Sequence, residues 1–430
     1  MSPVQRERRG LVGLLAAVGT SILGTRMSFL ALPWFVLATT GSPTAVGLVT
    51  AAETTPYVLA QALGGPFVDR CGAWRISIGT DAAAAVLLGA IPLLHLFAAL
   101  PLGVLAVLVA AVGTLRGSGD SAREVIVPGL ADRAQLPMER AAGLYDSVNR
   151  GAALVGAPLA GALIGLTSAV NVLAVDAATF VVSAVAVLAF VPRAAEPRPA
   201  PAPEPSSSTP SYLGSLREGF AHLRGDRLLL GIAAMVLVTN LLDQAGGAVL
   251  MPVWARDVAH SPLALGLIGG VFSAGAVLGN LAMTWVGPRV PRRLTYGISF
   301  LVGGGPRFLA LALASTVSPV LVVVLVAGLC CGGINPVLGA VEYERVPRHL
   351  QARVLGALGA LTWAGIPIGG LAGGALTDAF GIRTALAVTG AVYLVTTLAP
   401  FTFPAWRGMD REDGRPQEVA AATGAAPPAR

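Results

Sequence analysis

The sequence GPFVDRCGAWR occupies residues 65–75 and lies between two long apolar runs. Gly65 allows two helices to approach closely, and Gly72 permits a tight turn. Asp69 supplies an anion suited to the N-terminus of a facing helix. Arg70 follows as a cation that an acidic side chain can bind. The stretch therefore predicts a charged turn between two packed helices.

Apolar residues dominate the chain on both sides of this turn. The 430 residues are 54% hydrophobic and only 12% charged, and because the chain contains no lysine, its 29 basic residues are all arginine. A soluble protein carries about 25% charged residues. Half that supply cannot cover a water-facing surface of this size. A globular soluble enzyme, a disordered chain and, despite the net charge of +6, a nucleic-acid-binding protein are therefore excluded.

The apolar runs have the length of membrane spans. A bilayer core is about 30 Å thick, so a spanning helix needs roughly 20 apolar residues. Twelve such runs occur, at residues 11–39, 44–67, 76–98, 102–126, 141–166, 170–191, 228–254, 262–286, 294–315, 319–343, 354–377 and 382–403. We therefore predict an all-α membrane protein with twelve transmembrane helices, called spans 1 to 12 in chain order, and the lipid bilayer as its environment.

The arginines are distributed unevenly among the segments that connect these spans. Nearly all arginines outside the spans lie at the termini or in the even-numbered loops, and only Arg256 and Arg383, the latter at the edge of span 12, are assigned to odd-numbered loops. Positively charged loops favour the cytoplasmic side of a membrane. We therefore expect a cytoplasmic (inner) membrane protein with both termini in the cytoplasm.

A composition change divides the chain in its middle. Residues 192–211 are rich in proline and serine and cannot pack a core. The segment from Tyr212 to Arg227 then reads as a short amphipathic helix suited to a membrane surface. The predicted organisation is an N-terminal six-helix half at 1–191, a cytoplasmic linker at 192–227, a C-terminal six-helix half at 228–405 and a disordered cytoplasmic tail at 406–430.

The two halves repeat each other in sequence. The stretch SPTAVGL at residues 42–48 matches SPLALGL at residues 261–267. Further on, four residues of the first half match four of the second in order: Arg140, Gly143, Gly156 and Gly161 with Arg353, Gly356, Gly369 and Gly374. Chance similarity between glycine-rich helices is the alternative, but ordered matches at a near-constant offset favour two pseudo-symmetric halves in parallel orientation.

Together with this repeat, GPFVDRCGAWR resembles the loop signature of the major facilitator superfamily, in which Asp-Arg precedes a glycine and a basic residue, here Arg75. The stretches ALPWFVL at 31–37, DSAR at 120–123 and DAATF at 176–180 are similar to the macrolide-efflux and enterobactin-exporter branch of that superfamily. The resemblance covers about residues 10–405 and implies the major facilitator fold.

The resemblance also implies a gating role for the loop. In the family, the aspartate, here Asp69, latches against the second half and stabilises the outward-open state. The acceptor in this chain is expected at the start of span 11, near Val354. Arg70 is expected to pair with an acid at the end of span 4, where Asp120 and Glu124 are available.

Span 5 carries a second stretch with a family likeness. Gly156, Pro158 and Gly161 resemble the antiporter signature of drug exporters. Small residues with a proline also suit close helix packing alone. Both interpretations stay open at the level of sequence.

Five charged residues are expected near the mid-depth of spans: Arg26, Glu53, Arg116, Asp243 and Arg307. A charge there costs at least about 2.5 kcal/mol, so each requires a partner or a polar cavity. Similar depth predicts that Arg26 pairs with Glu53, and Arg307 is expected to pair with an acid. Glu53 and Asp243 are candidates to exchange a proton for substrate. A structural ion pair for Glu53 and a helix-packing hydrogen bond for Asp243 are the alternatives.

These features predict a secondary active transporter that exports amphipathic small molecules, such as drugs or antibiotics, by alternating access and proton antiport. A siderophore or metabolite exporter on the same fold is the alternative, and a non-transporting membrane sensor or scaffold is an alternative of another class. The sequence contains no phosphate-binding loop, metal-ligand spacing or nucleophile triad. We therefore expect no enzyme activity, no cofactor, no metal and no nucleic acid, and a chain that acts as a monomer.

Overall fold

The computed structural model describes residues 3–97, 100–193, 212–286, 289–347 and 350–410, and all regular structure in those ranges is helical. The helices of the first half, up to residue 193, are α1 (Pro3–Thr40), α2 (Pro43–Leu63), α3 (Gly65–Cys71), α4 (Ala73–Phe97), α5 (Leu102–Arg133), α6 (Met138–Leu166) and α7 (Ala169–Phe190).

The second half, from residue 212, contains α8 (Tyr212–Gly225), α9 (Arg227–Ala245), α10 (Met251–Asp257), α11 (Pro262–Val286), α12 (Arg292–Gly303), α13 (Gly305–Leu313), α14 (Val317–Cys331), α15 (Ile334–Arg345), α16 (Gln351–Trp363), α17 (Gly365–Phe380), α18 (Ile382–Thr397) and α19 (Ala399–Thr402). A π-helix at Gly246–Leu250 and a 3-10 helix at Pro404–Met409 complete the described structure. Several predicted spans of this half are therefore broken into two helices.

Eleven helical segments of the described ranges are long and apolar enough to cross a membrane, which makes the chain a multi-pass membrane protein. The predicted span 2 corresponds to α2, which has 21 residues but carries Glu53, Gln61 and several threonines that lower its hydropathy. Helix α2 nevertheless packs along α5 and α17. Its place as a twelfth span stays a prediction.

The two ends of the helix bundle differ in charge. We call one the arginine-rich end, where Arg70, Arg133 and Arg345 lie in the last turns of helices. The opposite, arginine-poor end contains the turns at Gly41 and Gly381, whose φ angles are 69° and 79°. Such left-handed backbone favours glycine, so these residues suit the tight turns between α1 and α2 and between α17 and α18.

The two halves meet along two matched seams near the arginine-poor end, α2 against α17 and α6 against α11. At the first seam, Gly47 lies so close to the carbonyl oxygen of Gly370 that a side chain at position 47 would collide with it. At the second, a Cβ atom at Gly266 would lie 2.8 Å from the carbonyl oxygen of Ala157. The internal repeat relates these two contacts to each other, which confirms the two pseudo-symmetric halves.

The two halves are apart at the arginine-rich end. A Cβ atom built on Gly143 of α6, or on Gly356 or Gly359 of α16, meets no atom within 4 Å. Gly143 and Gly356 belong to the repeated motif whose last glycines, Gly161 and Gly374, are closely packed in the seams. The structure is therefore closed between the halves at the arginine-poor end and open at the arginine-rich end.

Helix α8 is the predicted amphipathic segment, and it docks on the second half. Its backbone at Gly219 lies against the carbonyl of Arg353 at the start of α16, and Arg353 forms an ion pair with Glu218. Leu223 of α8 and Val354 of α16 are buried in one apolar cluster. The helix therefore covers the start of α16, and its predicted location at the membrane surface stays a prediction.

The C-terminal boundary differs from the prediction. Trp406 and Met409 are buried, and the ring of Trp406 lies 6.0 Å from that of Tyr296. The predicted tail at 406 therefore begins too early, because these large side chains help to fill the core of the second half. Residues 411–430 of the predicted tail and residues 194–211 of the predicted linker lie outside the described ranges.

Candidate functional site

A cavity of about 440 Å³, lined by charged and apolar groups, lies in the first half between α1, α2, α5 and α6. These helices correspond to the predicted spans 1, 2, 4 and 5. Four acids and two arginines contribute to its lining: Glu53, Asp120, Glu124, Asp146, Arg26 and Arg116. The concentration of ionisable groups on one inner surface makes this cavity the candidate functional site.

A buried ion pair forms part of the cavity wall. Nη1 of Arg116 donates a hydrogen bond to Oε1 of Glu53 at 2.6 Å, and both residues are buried. Helices α5 and α2 approach closely here because Gly113 and Gly117 place no side chain between them. The predicted pairing of Arg26 with Glu53 is therefore wrong: the glycines bring Arg116 to the carboxylate instead.

Arg26 lines the same cavity with an exposed side chain. It has no hydrogen bond or ion pair with any described residue. Gly156 of α6 lies beside it, since a Cβ atom at position 156 would be 2.6 Å from the Cβ of Arg26. This glycine allows α1 and α6 to approach, and the Arg26 guanidinium remains available to a ligand.

Arg123 of α5 joins neighbouring helices behind the cavity. It pairs with Asp81 of α4 and, at 2.9 Å, with Asp120. The hydroxyl of Ser183 in α7 donates to Asp81 at 2.6 Å, and the hydroxyl of Tyr57 in α2 donates to Asp120 at 3.3 Å. The network holds four helices together, so Asp81 has a structural role.

Asp176 makes a second link of this kind. Its carboxylate accepts hydrogen bonds from Ser28 of α1 and, at 3.1 Å, from Thr179. A side chain at Gly24 would collide with both Asp176 and Thr179, so the glycine allows α1 to pack directly on α7. The contacts of Asp176 are therefore those of helix packing.

The second half contains a separate ion pair. Arg307 of α13 pairs with Asp243 of α9, and the hydroxyl of Tyr393 donates to the second oxygen of Asp243 at 3.4 Å. The guanidinium also lies over the rings of Phe272 and Phe308, at 5.0 and 4.8 Å from their centroids. The Asp243 side chain remains 39% exposed and that of Arg307 13%. The acid expected to pair with Arg307 is thus Asp243, and its side chain remains partly exposed.

The loop GPFVDRCGAWR forms α3 and a turn at the arginine-rich end. Gly72 has a φ angle of 90°, which confirms the predicted tight turn. The close helix approach predicted at Gly65 is wrong, because a Cβ atom there meets no atom within 4 Å. The reason is position: this end of the bundle is the open one. Arg75 is exposed at the start of α4.

The latch implied by the family resemblance is not formed in this state. Asp69 and Arg70 are exposed, and neither has a hydrogen bond or ion pair within the described ranges. Val354 is buried beneath α8. Asp120 is bound to other residues, and Glu124 lines the cavity instead. The divergence of the halves at this end accounts for the missing contact between Asp69 and α16.

The span 5 motif lies in a seam between the halves. A Cβ atom at Gly161 would be 2.7 Å from the Cα atom of Gly266. Pro158 packs directly against Gly270 of the same facing helix. Gly156 contacts Arg26 on the other side of α6. The motif therefore packs α6 between α1 and α11.

Two charged residues of the second half reach the first half at the arginine-poor end. Nη1 of Arg256 donates to the carbonyl oxygens of Leu37 at 3.3 Å and Gly41 at 3.5 Å, at the C-terminus of α1. Asp378 accepts a hydrogen bond of 3.0 Å from the backbone N–H of Thr44, at the N-terminus of α2. Each charge complements the dipole of the helix that it contacts.

Neither of these two contacts was predicted from the sequence. A signal was present for Arg256, which is one of only two arginines in the odd-numbered loops. An arginine at that position departs from the charge rule that orients the chain and therefore called for a structural reason. Asp378 offers no comparable signal, because acidic residues follow no such rule.

Comparisons with known proteins agree with this geometry. Residues 14–254 and 234–428 match the Major Facilitator Superfamily. The multidrug efflux pump Tap of Mycolicibacterium fortuitum is 30% identical over 414 residues, which cover 94% of this chain and 98% of that protein.

Two solved structures share the fold. A mutant of the nucleoside transporter NupG superposes with a TM-score of 0.75 at 15% identity, over 91% of this chain and 98% of that one. A bacterial homolog of the human lysosomal transporter Spinster, inward-facing and unoccupied, gives 0.72 at 14% identity, over 95% and 99%. With its fold, its internal repeat and a family match along most of its length, the chain belongs to the major facilitator superfamily.

Proposed function

We propose that this chain is a secondary active exporter that carries amphipathic small molecules across the membrane by alternating access and proton antiport. The observation that supports this most is the cavity, which combines a buried Glu53–Arg116 pair with free charges between spans 1, 2, 4 and 5. A sensor or scaffold has no need of charges at that depth, where each one is costly. The efflux activity named for the Mycolicibacterium relative supports drug-like substrates.

We further propose that the arginine-rich end faces the cytoplasm of a cytoplasmic membrane, with both termini on that side, and that one chain suffices for transport. The excess of arginine at that end supports this orientation. The cavity then receives substrate from the cytoplasm. In the opposite state the two seams separate, and the Asp69 loop closes against the second half.

Two carboxylates are the proposed proton acceptors, Glu53 in the cavity and Asp243 in the second half. Each is held by one arginine, Arg116 and Arg307 respectively. Protonation removes the negative charge of the pair and leaves the arginine without its partner, a costly state inside a membrane. A change of packing or a bound substrate that supplies a new partner then becomes favourable, which couples proton binding to transport.

Transport by inverted membrane vesicles tests this proposal. Vesicles with an acidic interior are offered amphipathic dyes that are cationic, zwitterionic or anionic, and uptake is followed by fluorescence. We expect uptake that collapses when a protonophore removes the gradient. In Glu53→Gln and Asp243→Asn, the part of the uptake that depends on the gradient should fall, whereas Asp132→Asn, an exposed residue at the arginine-rich end, should match the wild type.

The result separates the parts of the proposal. If both carboxylate variants keep full gradient-driven uptake, these residues are not the proton acceptors. If the wild type transports dye equally with and without a gradient, export is not coupled to protons. If no dye is transported under either condition, the exporter assignment falls and the scaffold alternative is favoured.

A further inference from the structure

The charges of the cavity are not all balanced by one another. Three of the four lining acids are bound to arginines at 2.6 to 2.9 Å: Glu53 to Arg116, Asp120 to Arg123 and Asp146 to Arg150. The charged lining residues that remain are one arginine, Arg26, and one acid, Glu124. Both are exposed, and neither has a hydrogen bond or ion pair with a described residue. Among the described residues, the cavity thus presents one cation and one anion without an ion pair, and Arg26 interacts only at longer range with Asp120 and Tyr57.

The two free charges lie at different depths. Arg26 is fifteen residues before the turn at Gly41 in α1, and Arg116 is fourteen residues after the start of α5 at Leu102, so both are at similar depth. Glu124 follows Arg116 by eight residues on α5. At a rise of 1.5 Å per residue, it lies about 12 Å nearer to the arginine-rich end. The free cation is therefore deep, and the free anion is near the cavity mouth.

Apolar and aromatic side chains share the lining with these charges. Ile22 and Phe29 come from the same helix as Arg26, and Tyr57 and Tyr145 come from α2 and α6. The Phe29 ring lies 5.4 Å from the guanidinium of Arg116. A ligand that joins the two free charges is therefore expected to carry an apolar, ring-containing body between its ionic groups.

We infer that the cavity selects zwitterionic amphiphiles, with Arg26 binding an anionic group such as a carboxylate and Glu124 binding the cationic group. This inference deepens the proposed export function and rests on it. A ligand with only a cation leaves the deep guanidinium unpaired in a confined space, and a ligand with only an anion leaves Glu124 unpaired. A ligand with both charges satisfies the two groups at once, which avoids the cost of a desolvated charge.

Three dyes with one ring system separate these cases. Rhodamine B is a zwitterion, its methyl ester is a cation of almost the same size, and fluorescein is an anion. Binding to the full chain in lipid nanodiscs is followed by fluorescence anisotropy. Because a charge-assisted hydrogen bond commonly changes affinity about tenfold, we expect rhodamine B to bind at least about tenfold more tightly than its methyl ester and than fluorescein.

The variants should divide the three dyes in opposite ways. Arg26→Gln should lower the affinity for rhodamine B and fluorescein about tenfold and leave the affinity for the methyl ester unchanged. Glu124→Gln should lower the affinity for rhodamine B and the methyl ester and leave the affinity for fluorescein unchanged. A variant that merely distorts the fold weakens all three dyes together. Arg140→Gln and Asp132→Asn, exposed residues that do not line the cavity, serve as controls and should bind as the wild type does.

The outcomes distinguish this inference from the function on which it rests. Equal affinity of the wild type for rhodamine B and its methyl ester, or unchanged affinity of Arg26→Gln for rhodamine B, overturns the zwitterion inference. If the vesicles still take up dye in a gradient-dependent way, the exporter assignment stands in that case. Binding of none of the three dyes, together with no uptake, overturns both.

Discussion

The arginine-poor and arginine-rich ends of this molecule use the same repeated helices in opposite ways. At the arginine-poor end, Gly161 meets Gly266 and Gly374 meets the carbonyl oxygen of Pro43, with Cβ positions at 2.7 and 2.6 Å from the facing atoms. At the arginine-rich end, Gly143 earlier in α6 and Gly356 in α16, the helix before α17, face open space. The two ends therefore differ in whether the repeated glycines are in contact with the opposite half.

The two ends also differ in the charged contacts that the described residues make between the halves. At the arginine-poor end, Arg256 and Asp378 of the second half bind the ends of α1 and α2. At the arginine-rich end, the free Asp69 belongs to the first half. Among the described residues, Arg256 and Asp378 therefore contact the opposite half at the arginine-poor end, and Asp69 makes no such contact at the other end. The difference indicates that steric fit closes the seam and that a few polar contacts adjust its stability.

The largest effect is expected from filling the seam. Gly161→Val places a branched side chain against the backbone of Gly266, and overpacking of this kind costs about 1–3 kcal/mol. We expect the closed arginine-poor end to open and transport to fall about tenfold or more. Electron paramagnetic resonance between spin labels at Thr167→Cys and Ser261→Cys, with the native cysteines replaced by serine, should show a longer distance.

Gly143→Val is the matched control for this variant. It places the same side chain on the same helix, but at the open end, where a Cβ atom has no neighbour within 4 Å. The label distance should then equal that of the parent protein. An unchanged distance in Gly161→Val would show that the seam does not hold this end closed.

A smaller effect is expected from removing the acid that binds the start of α2. Asp378→Ala deletes the acceptor of the Thr44 N–H, and loss of a helix N-terminal cap typically costs about 1 kcal/mol, or about a fivefold change in an equilibrium. Hydrogen–deuterium exchange of the peptide containing Thr44 should become faster. Asp378→Asn keeps an acceptor oxygen and should lie between the alanine variant and the wild type; equal exchange in all three would contradict this role.

Arg256→Gln should have a still smaller effect. The bonds to Leu37 and Gly41 are long, and the guanidinium also binds Asp257 at 2.5 Å. A cation at a helix C-terminus contributes about 0.3–1 kcal/mol, so we expect about a twofold shift toward opening of the arginine-poor end. Added salt should weaken the wild-type contact by screening and change the variant less. The distance between the labels at positions 167 and 261 measures both the effect of the variant and the effect of salt. Equal salt dependence of this distance in the wild type and in Arg256→Gln would argue against the contact.

The smallest effect is expected from removing the charge of Asp226, which lies at the arginine-rich end and, among the described residues, contacts only those of the second half. Burial favours a higher pKa for the Asp226 carboxyl, but hydrogen bonds from Arg345 and from the backbone N–H groups of Leu229 and Leu228 lower the pKa below its ordinary value. The ionised carboxylate therefore stabilises the fold above the unfolded-state pKa of about 3.9, and this contribution is lost as the pH falls through the lower folded-state pKa.

Thermal unfolding of Asp226→Asn tests this linkage. The variant should be less stable than the wild type at neutral pH, and the difference should shrink as the medium is acidified below about pH 4. The distance between the labelled seam positions should not change, because Asp226, Arg345 and α9 all belong to the second half. A difference in stability that stays constant with pH would contradict the assigned pKa shift.

Much of the fold could be predicted because membrane spans are recognisable in a sequence from their length and hydropathy. The matched stretches SPTAVGL and SPLALGL place Gly47 and Gly266 in equivalent positions, and the structure uses both in the seams. The charged residues inside spans also marked the cavity, since Arg26, Glu53 and Arg116 all line it. Helix periodicity and the cost of intramembrane charge were sufficient for this part.

Partner choice inside the cavity could not be predicted in the same way. Arg26 and Arg116 have similar depth, so depth alone does not decide which of them binds Glu53. The decision lies in the close approach of α5 to α2 at Gly113 and Gly117, a three-dimensional fit that spacing along one helix does not report. The position of Asp69 is a different case, because the expected latch requires the halves to meet at the arginine-rich end, and they are apart there in this structure.

The closest contacts of the seams are between glycine surfaces and backbone atoms, so the fit depends little on the chemistry of side chains. The cavity wall is the reverse, since its character comes from a few replaceable groups such as Arg26 and Glu124. In the proposed mechanism, motion and recognition are therefore assigned to separate sets of positions. We expect exchange of wall residues to change the cargo while the seams keep their fit.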